Sequence, residues 1–255
     1  MYTFTISDIT ENTLFDAYVH SITGINDDFW EGHVLDSQIY RVELSGQMIG
    51  LCGLYNQENL TLFYIQPGFL RHAQPAFNAM LDVLKPQYSF APTNDELLIS
   101  LCMDKQVKIE MQAYFWKHGG SIVRPAEYSR ELLTLAVPSD EADIMAMEDE
   151  EDKAEVAERI AQGKYYVMRE NGVYLGQGNF HKHTIIANAV SIGMAVHPDF
   201  RRKGVGRSII MHLADICHEN ELMPYCGCWY YNHNSKATLE SAGFVTQTRL
   251  LKVWF

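Results

Sequence analysis

The sequence predicts a mixed α/β fold, a mostly antiparallel sheet with flanking helices. Short β-prone runs are joined by glycine turns, and amphipathic segments alternate with them. Hydrophobic residues make up 47% of the 255 and charged residues 20%, enough apolar material for a full core. That length allows one large domain or two of ordinary size.

In the C-terminal half, Tyr165-Tyr166-Val167-Met168 reads as a strand. Glu170-Asn171-Gly172 is a hairpin turn and Val173 to Phe180 the return strand. His181 to Thr184 is a loop, and Ile185 to Val196 a third strand. Arg201-x-x-Gly204-x-Gly206 follows, then a helix with Ile209, Leu213, Ile216 and Cys217 on one side. Met223 to Tyr230 is a strand and Ser235 to Ser241 a helix ended by Gly243. Phe244 to Phe255 supplies the last strands.

The strand, glycine loop and helix around Arg201 to Ser208 carry the chemistry. Such a loop aims backbone N–H groups and the positive end of a helix dipole at one point. Glycine lets the main chain approach a ligand without a Cβ in the way. A pyrophosphate suits that geometry. A dinucleotide-binding fingerprint, G-x-G-x-x-G, has a different spacing.

With Val196-His197-Pro198 before it, this segment resembles the acyl-CoA motif of the GNAT acyltransferase superfamily. The resemblance implies that the backbone of Arg202, Lys203, Gly204, Val205, Gly206, Arg207 and Ser208 binds the CoA pyrophosphate. It implies that Arg201 braces the loop or meets a phosphate. The main chain of Met194, Ala195 and Val196 would pair with the pantetheine, one N–H polarising the thioester carbonyl. A second family signature stands here as Asn232-x-x-Ser235-x-x-Thr238-Leu239-x-x-x-Gly243-Phe244. Asn232 would hydrogen-bond the pantetheine or cap the helix.

The family's usual tyrosine, the acid that protonates the leaving thiolate, is Leu239 here. Ser235, Tyr230, Tyr231 and Cys228 are nearby substitutes. His183 and His197 are candidates for the general base. The Asn-x-x-Ser form after Cys228-Trp229 is similar to a less common bacterial branch that includes an antibiotic self-resistance acetyltransferase. Cys226-x-Cys228 with His218 and His233 lacks the usual zinc spacing, so no metal is expected.

The first half reads as a worn copy of the second. Ser45-Gly46-Gln47-Met48-Ile49-Gly50 parallels Asn171-Gly172-Val173-Tyr174-Leu175-Gly176, and Ile65-Gln66-Pro67 parallels Val196-His197-Pro198. Leu70, Ala73 and Pro75 stand where the second copy has Arg201, Gly204 and Gly206. Ala73 would crowd a phosphate and Pro75 removes a donor.

An acidic stretch, Ser139 to Asp152, follows Pro138, with Ser139 as a plausible N-cap. The composition shift sets the expected boundary: residues 1–138 a GNAT-like domain without a pyrophosphate loop, 139–255 the acetyl-CoA-binding domain.

The expected function is acetyl transfer from acetyl-CoA to a primary amine of a small molecule or peptide by direct attack. The alternative is a non-catalytic CoA-binding regulatory or sensor protein. A net charge of −12 argues against nucleic acid and is compatible with a cationic acceptor. No apolar run approaches the roughly 18 residues of a membrane span, and no signal peptide is evident in MYTFTISDIT. The odd count of five cysteines fits a reduced, cytoplasmic setting. A homodimer is compatible with all of this.

Overall fold

The computed structural model describes residues 1–8, 13–121, 123–148, 150 and 153–255. The chain forms two compact units, Met1–Phe115 with Thr248–Phe255, and Trp116–Gln247.

The first runs β1 (Tyr2–Ser7), α1 (Thr13–Ser21), α2 (Asp28–Leu35), β2 (Gln38–Leu44), β3 (Gln47–Tyr55) and β4 (Asn59–Ile65). It continues through α3 (Ala73–Leu84), β5 (Tyr88–Pro92), α4 (Glu96–Lys105) and most of β6 (Lys108–His118). The second repeats that order: β7 (Leu133–Leu135), α5 (Glu141–Met145), α6 (Val156–Ala161), β8 (Tyr165–Glu170), β9 (Val173–Lys182), β10 (Ala189–Val196), α7 (Val205–Glu219), β11 (Met223–Trp229), α8 (His233–Ser241) and β12 (Phe244–Trp254). Among the described residues no helix is long and apolar enough to cross a membrane.

The repeat extends to single residues. Ser45-Gly46 and Asn171-Gly172 each have two positive φ angles, 51° and 84° in one, 50° and 81° in the other. That is the pair a two-residue hairpin turn demands. Gly50 and Gly176 also match. A Cβ on Gly50 would strike the carbonyl of Tyr64 and lie 3.1 Å from the Cα of Ile65; on Gly176 it would lie 2.5 Å from the carbonyl of Ala195 and 3.1 Å from the Cα of Val196.

In the first unit α3 and α4 pack Phe77, Met80, Leu98 and Leu101 on the sheet beside Leu60, Phe63 and Val253. In the second, α7 buries Val205, Ile209, Ile210, Leu213 and Cys217. A Cβ on Gly178 would meet Leu213 at 2.6 Å and Ile209 at 2.9 Å, so glycine lets α7 lie close to β9. Ile144, Val156 and Ile160 of α5 and α6 cover Tyr165, Val167 and Tyr174.

Four expectations are corrected. Pro138 lies inside the second unit and marks no boundary. The acidic residues after it are structural: Arg169 bridges Asp140, at 2.8 Å, and Asp143. Ser139 is no cap; Asp140 Oδ2 accepts from the Val137 N–H at 2.9 Å. The expected strand from Ile185 begins at Ala189, because His183 Nδ1 accepts from the N–H groups of Ile185 and Ile186 and folds them into a turn. The last segment is one strand whose final residues serve the first unit, pairing antiparallel with β5 from Leu250↔Pro92 to Trp254↔Tyr88. Asp149, Glu151 and Asp152 of the acidic stretch lie outside the described residues.

Leu250 and Val253 are fully buried, and burial of such a side chain contributes about 1.5–3 kcal/mol. A chain ending at Gln247 is expected to lose hydrogen-exchange protection in β5 and to melt earlier in its first unit. Unchanged β5 protection in the truncated protein would contradict this assignment of the last strand.

Candidate functional site

The second unit presents a helix N-terminus without a side-chain cap. Gly204 is the N-cap of α7 at φ 86°, ψ −3°, and no side-chain hydrogen bond closes that end. Helix geometry leaves the N–H groups of Val205, Gly206 and Arg207 without intrahelical acceptors. Arg202 is also left-handed at φ 60°, so the chain reverses twice within three residues. Arg201 Nε donates to the Val196 carbonyl at 3.2 Å, tying the loop to the end of β10. Lys203 Nζ lies 5.2 Å from the centre of the Phe200 ring. A Cβ on Gly206 would stand 3.2 Å from Val196, 3.3 Å from Thr238 and 3.6 Å from Met194, so this glycine keeps β10, α7 and α8 together.

Ser208 does not belong to that loop. Its N–H bonds the Gly204 carbonyl at 3.0 Å. Its Oγ donates to the same carbonyl and accepts from the N–H groups of Glu127 and Tyr128 at 3.0 and 3.1 Å. Gly204, Ser208 and His212 share one face of α7 by their four-residue spacing, and residues 125–128 lie along it. His212 Nε2 bonds the Tyr128 carbonyl at 2.7 Å. The Arg207 side chain is held there too, by the Pro125 carbonyl at 3.0 Å and the Glu127 carboxylate at 2.7 Å.

Strands β10 and β11 are parallel neighbours only from Ala189↔Met223 to Ser191↔Tyr225. Beyond that they diverge, while β10 stays paired with β9 as far as Val196↔Gly176. The gap holds a cleft lined by Asn179, Gly193, Met194, Cys226, Ser235 and Leu239, among others. The main chain of Met194, Ala195 and Val196 therefore has an edge unpaired by β11.

In the first unit β4 and β5 also pair only at Asn59↔Tyr88 and Leu60↔Ser89. There side chains bridge the strands: Asn59 Oδ1 accepts from Phe90 N–H at 2.9 Å, and Ser89 Oγ donates to the Leu60 carbonyl at 2.7 Å. The residues before α3 form a 3-10 turn, Pro67–His72, that runs straight into the helix. No left-handed residue opens a loop at that point.

The catalytic candidates separate. Ser235 and Leu239 line the cleft. Asn232 caps α8, its Oδ1 accepting from Ser235 N–H at 3.0 Å. Tyr230 is half-buried in the turn after β11, its ring 5.1 Å from that of Tyr231. His183 is not among the residues that line the cleft. It is buried at the start of β10, with Nδ1 taken by its own loop. Seven residues at about 3.3 Å each separate that end from Val196. His197 Nδ1 accepts weakly from Asp199 N–H at 3.4 Å and starts the turn after β10.

The sequence reading passed over three polar side chains. Asn179 lines the cleft. Gln177, 2% exposed, accepts from the Tyr174 hydroxyl and donates to Glu148 Oε1. Tyr165 also donates to Glu148, at 3.1 Å. The signal was Gly176-Gln177-Gly178-Asn179, amides alternating with glycines along a buried strand. Among the described residues no group of three or more His, Cys, Asp or Glu is placed to hold a metal ion.

A model of an acetyltransferase (GNAT) domain matches residues 6–119, and one of the acetyltransferase (GNAT) family matches residues 128–244. The chain belongs to the GNAT acetyltransferase superfamily, with two GNAT domains in tandem. It is an acetyltransferase of the GNAT type. A GNAT-family acetyltransferase from Colwellia psychrerythraea superposes with a TM-score of 0.88 at 17% identity, over 100% of this chain and 99% of that one. A tandem GNAT protein from the clavulanic acid biosynthesis pathway gives 0.63 at 14% identity, over 99% and 98%. A GCN5-related N-acetyltransferase from Sphaerobacter thermophilus gives 0.64 at 14%, over 99% and 95%. At such identities the likeness is one of fold. No curated protein matches the sequence at a significant level.

Gly206→Val tests the loop. The added isopropyl group would push α7 from Val196 and Met194, so acetyl-CoA affinity is expected to fall at least about tenfold while the protein stays folded. A folded variant with wild-type affinity would contradict the site.

Proposed function

We propose that the chain moves an acetyl group from acetyl-CoA to a primary amine of a small molecule or peptide, with the donor held by the second domain alone. The observation that carries this is the uncapped N-terminus of α7 beside the diverging edge of β10. The pyrophosphate would sit on the N–H groups of Gly204 to Arg207. The pantetheine would run along Met194 to Val196, with Asn232 and Ser235 beside it. One N–H near Val196 would hold the thioester oxygen as negative charge builds on it.

The amine then attacks the carbonyl carbon directly. Holding both reactants in one cleft supplies much of the rate. Leu239 is 2% exposed and cannot protonate the leaving thiolate. Ser235 lines the same cleft and is the better-placed donor. A CoA thiolate leaves tolerably near neutral pH, so the acid helps without being obligatory. The first domain lacks the open loop and its strand gap is bridged. It is left free for another role.

The test is release of free thiol from acetyl-CoA with a panel of primary amines and amino sugars. Turnover is expected with at least one cationic amine. Tight CoA binding with no turnover across the panel would contradict the reading.

A further inference from the structure

We infer that Glu148 is the carboxylate that receives the acceptor's ammonium group and takes its proton. This rests on the amine-acetylation reading above and names the base that reading lacks. His183 has Nδ1 taken by its own loop, and β10 from Val190 to Val196 carries no acidic residue.

Glu148 reaches the reaction centre through Gln177. Gln177 lies directly opposite Ala195 in the β9–β10 ladder. Its neighbours Gly176 and Gly178 have their Cβ directions toward Ile209 and Leu213 of α7. Side chains alternate along a strand, so Gln177 projects from the other face of the sheet. The donor loop and α7 thus lie on one side, and Glu148 comes from the other. Gln177 stands one strand spacing, about 4.8 Å, from the Ala195 backbone, and Glu148 lies beyond its side chain. Bridging water on that face would carry the ammonium's proton to Glu148.

The carboxylate is held in place. Tyr174 donates to Gln177 Oε1, which fixes the amide so that Nε2 faces Glu148. Tyr165 supplies a second donor. Two donors favour the ionised form that an incoming cation requires. The charged and titratable groups around it are Tyr165 and Arg169 of β8, Tyr174 of β9, Asp140 and Asp143 at α5, and Arg159 of α6. Arg169 is already paired with Asp140 and Asp143. Tyr165 is pushed up to about 12, by burial first, with Glu148 contributing, so it stays a neutral donor across the working range.

The proton balance closes. The substrate R–NH3+ gives one proton to Glu148 and attacks as R–NH2. The C–N bond forms and the C–S bond breaks. The second proton leaves the amide nitrogen for the thiolate or solvent, and Glu148 returns its proton to water. The products are R–NH–CO–CH3, CoA–SH and one proton.

The experiment compares the wild-type protein with E148Q at saturating acetyl-CoA across pH 3.5 to 9, using the best amine of the panel. A general base contributes about 10²- to 10⁴-fold. E148Q is therefore expected to lose about that factor in kcat/KM for the amine and to lose the acidic limb of the profile. Acetyl-CoA affinity should stay within about twofold, and E148D should recover part of the activity. An E148Q protein within about threefold of wild type, with the same profile, overturns the inference while the functional reading stands. A wild-type protein with no turnover on any amine overturns both. Should E148Q not fold, Y165F carries the test. With one donor gone the acidic limb should move to higher pH, and an unmoved limb overturns the inference.

Discussion

A helix N-terminus binds an anion only while its first N–H groups have no acceptor of their own. In α7 that condition is met by Gly204, whose left-handed backbone turns the chain into the helix without a capping side chain. Serine or aspartate there would satisfy one of those donors and weaken the site. Arrangements around it follow from the same need. Gly206 keeps the helix against β10, Gly176 and Gly178 let β9 and α7 come together, and Arg201 ties the loop to Val196. Residues 125–128 hold the flank of the helix through Ser208 and His212.

The two domains show one scaffold under two demands. They share the element order, the hairpin turn with paired positive φ angles, and the glycine that admits the next strand. They part where a phosphate would bind. In the first copy a 3-10 turn runs into α3 and side chains of Asn59 and Ser89 tie the strands at their divergence. A Cβ at Ala73 and a proline at position 75 are tolerable only once no pyrophosphate has to be cradled. The last eight residues of the chain then complete the first domain, so its fold depends on both ends of the sequence.

Local features were legible in the sequence, and long-range ones were not. The Asn171-Gly172 turn, the glycine loop and the apolar face of α7 each depend on residues close in the chain, and each lies where its pattern puts it. Asn232 could be read only as cap or ligand, and its cap is now visible. The return of Thr248–Phe255 to the first unit leaves no local mark, because a buried strand reads the same whichever sheet it joins. The acidity after Pro138 misled because composition does not reveal a partner such as Arg169. His183 looked like a base by type, and only the structure shows Nδ1 occupied by two backbone donors. Glu148 was hidden for the converse reason. It sits in a run of acids and is singled out only by Tyr165 and Gln177.

The central claim is that one scaffold, present twice, has kept one donor site. Isothermal titration of the 255-residue chain with CoA tests it most directly. The account predicts one CoA bound per chain. Two per chain, or none, would contradict it.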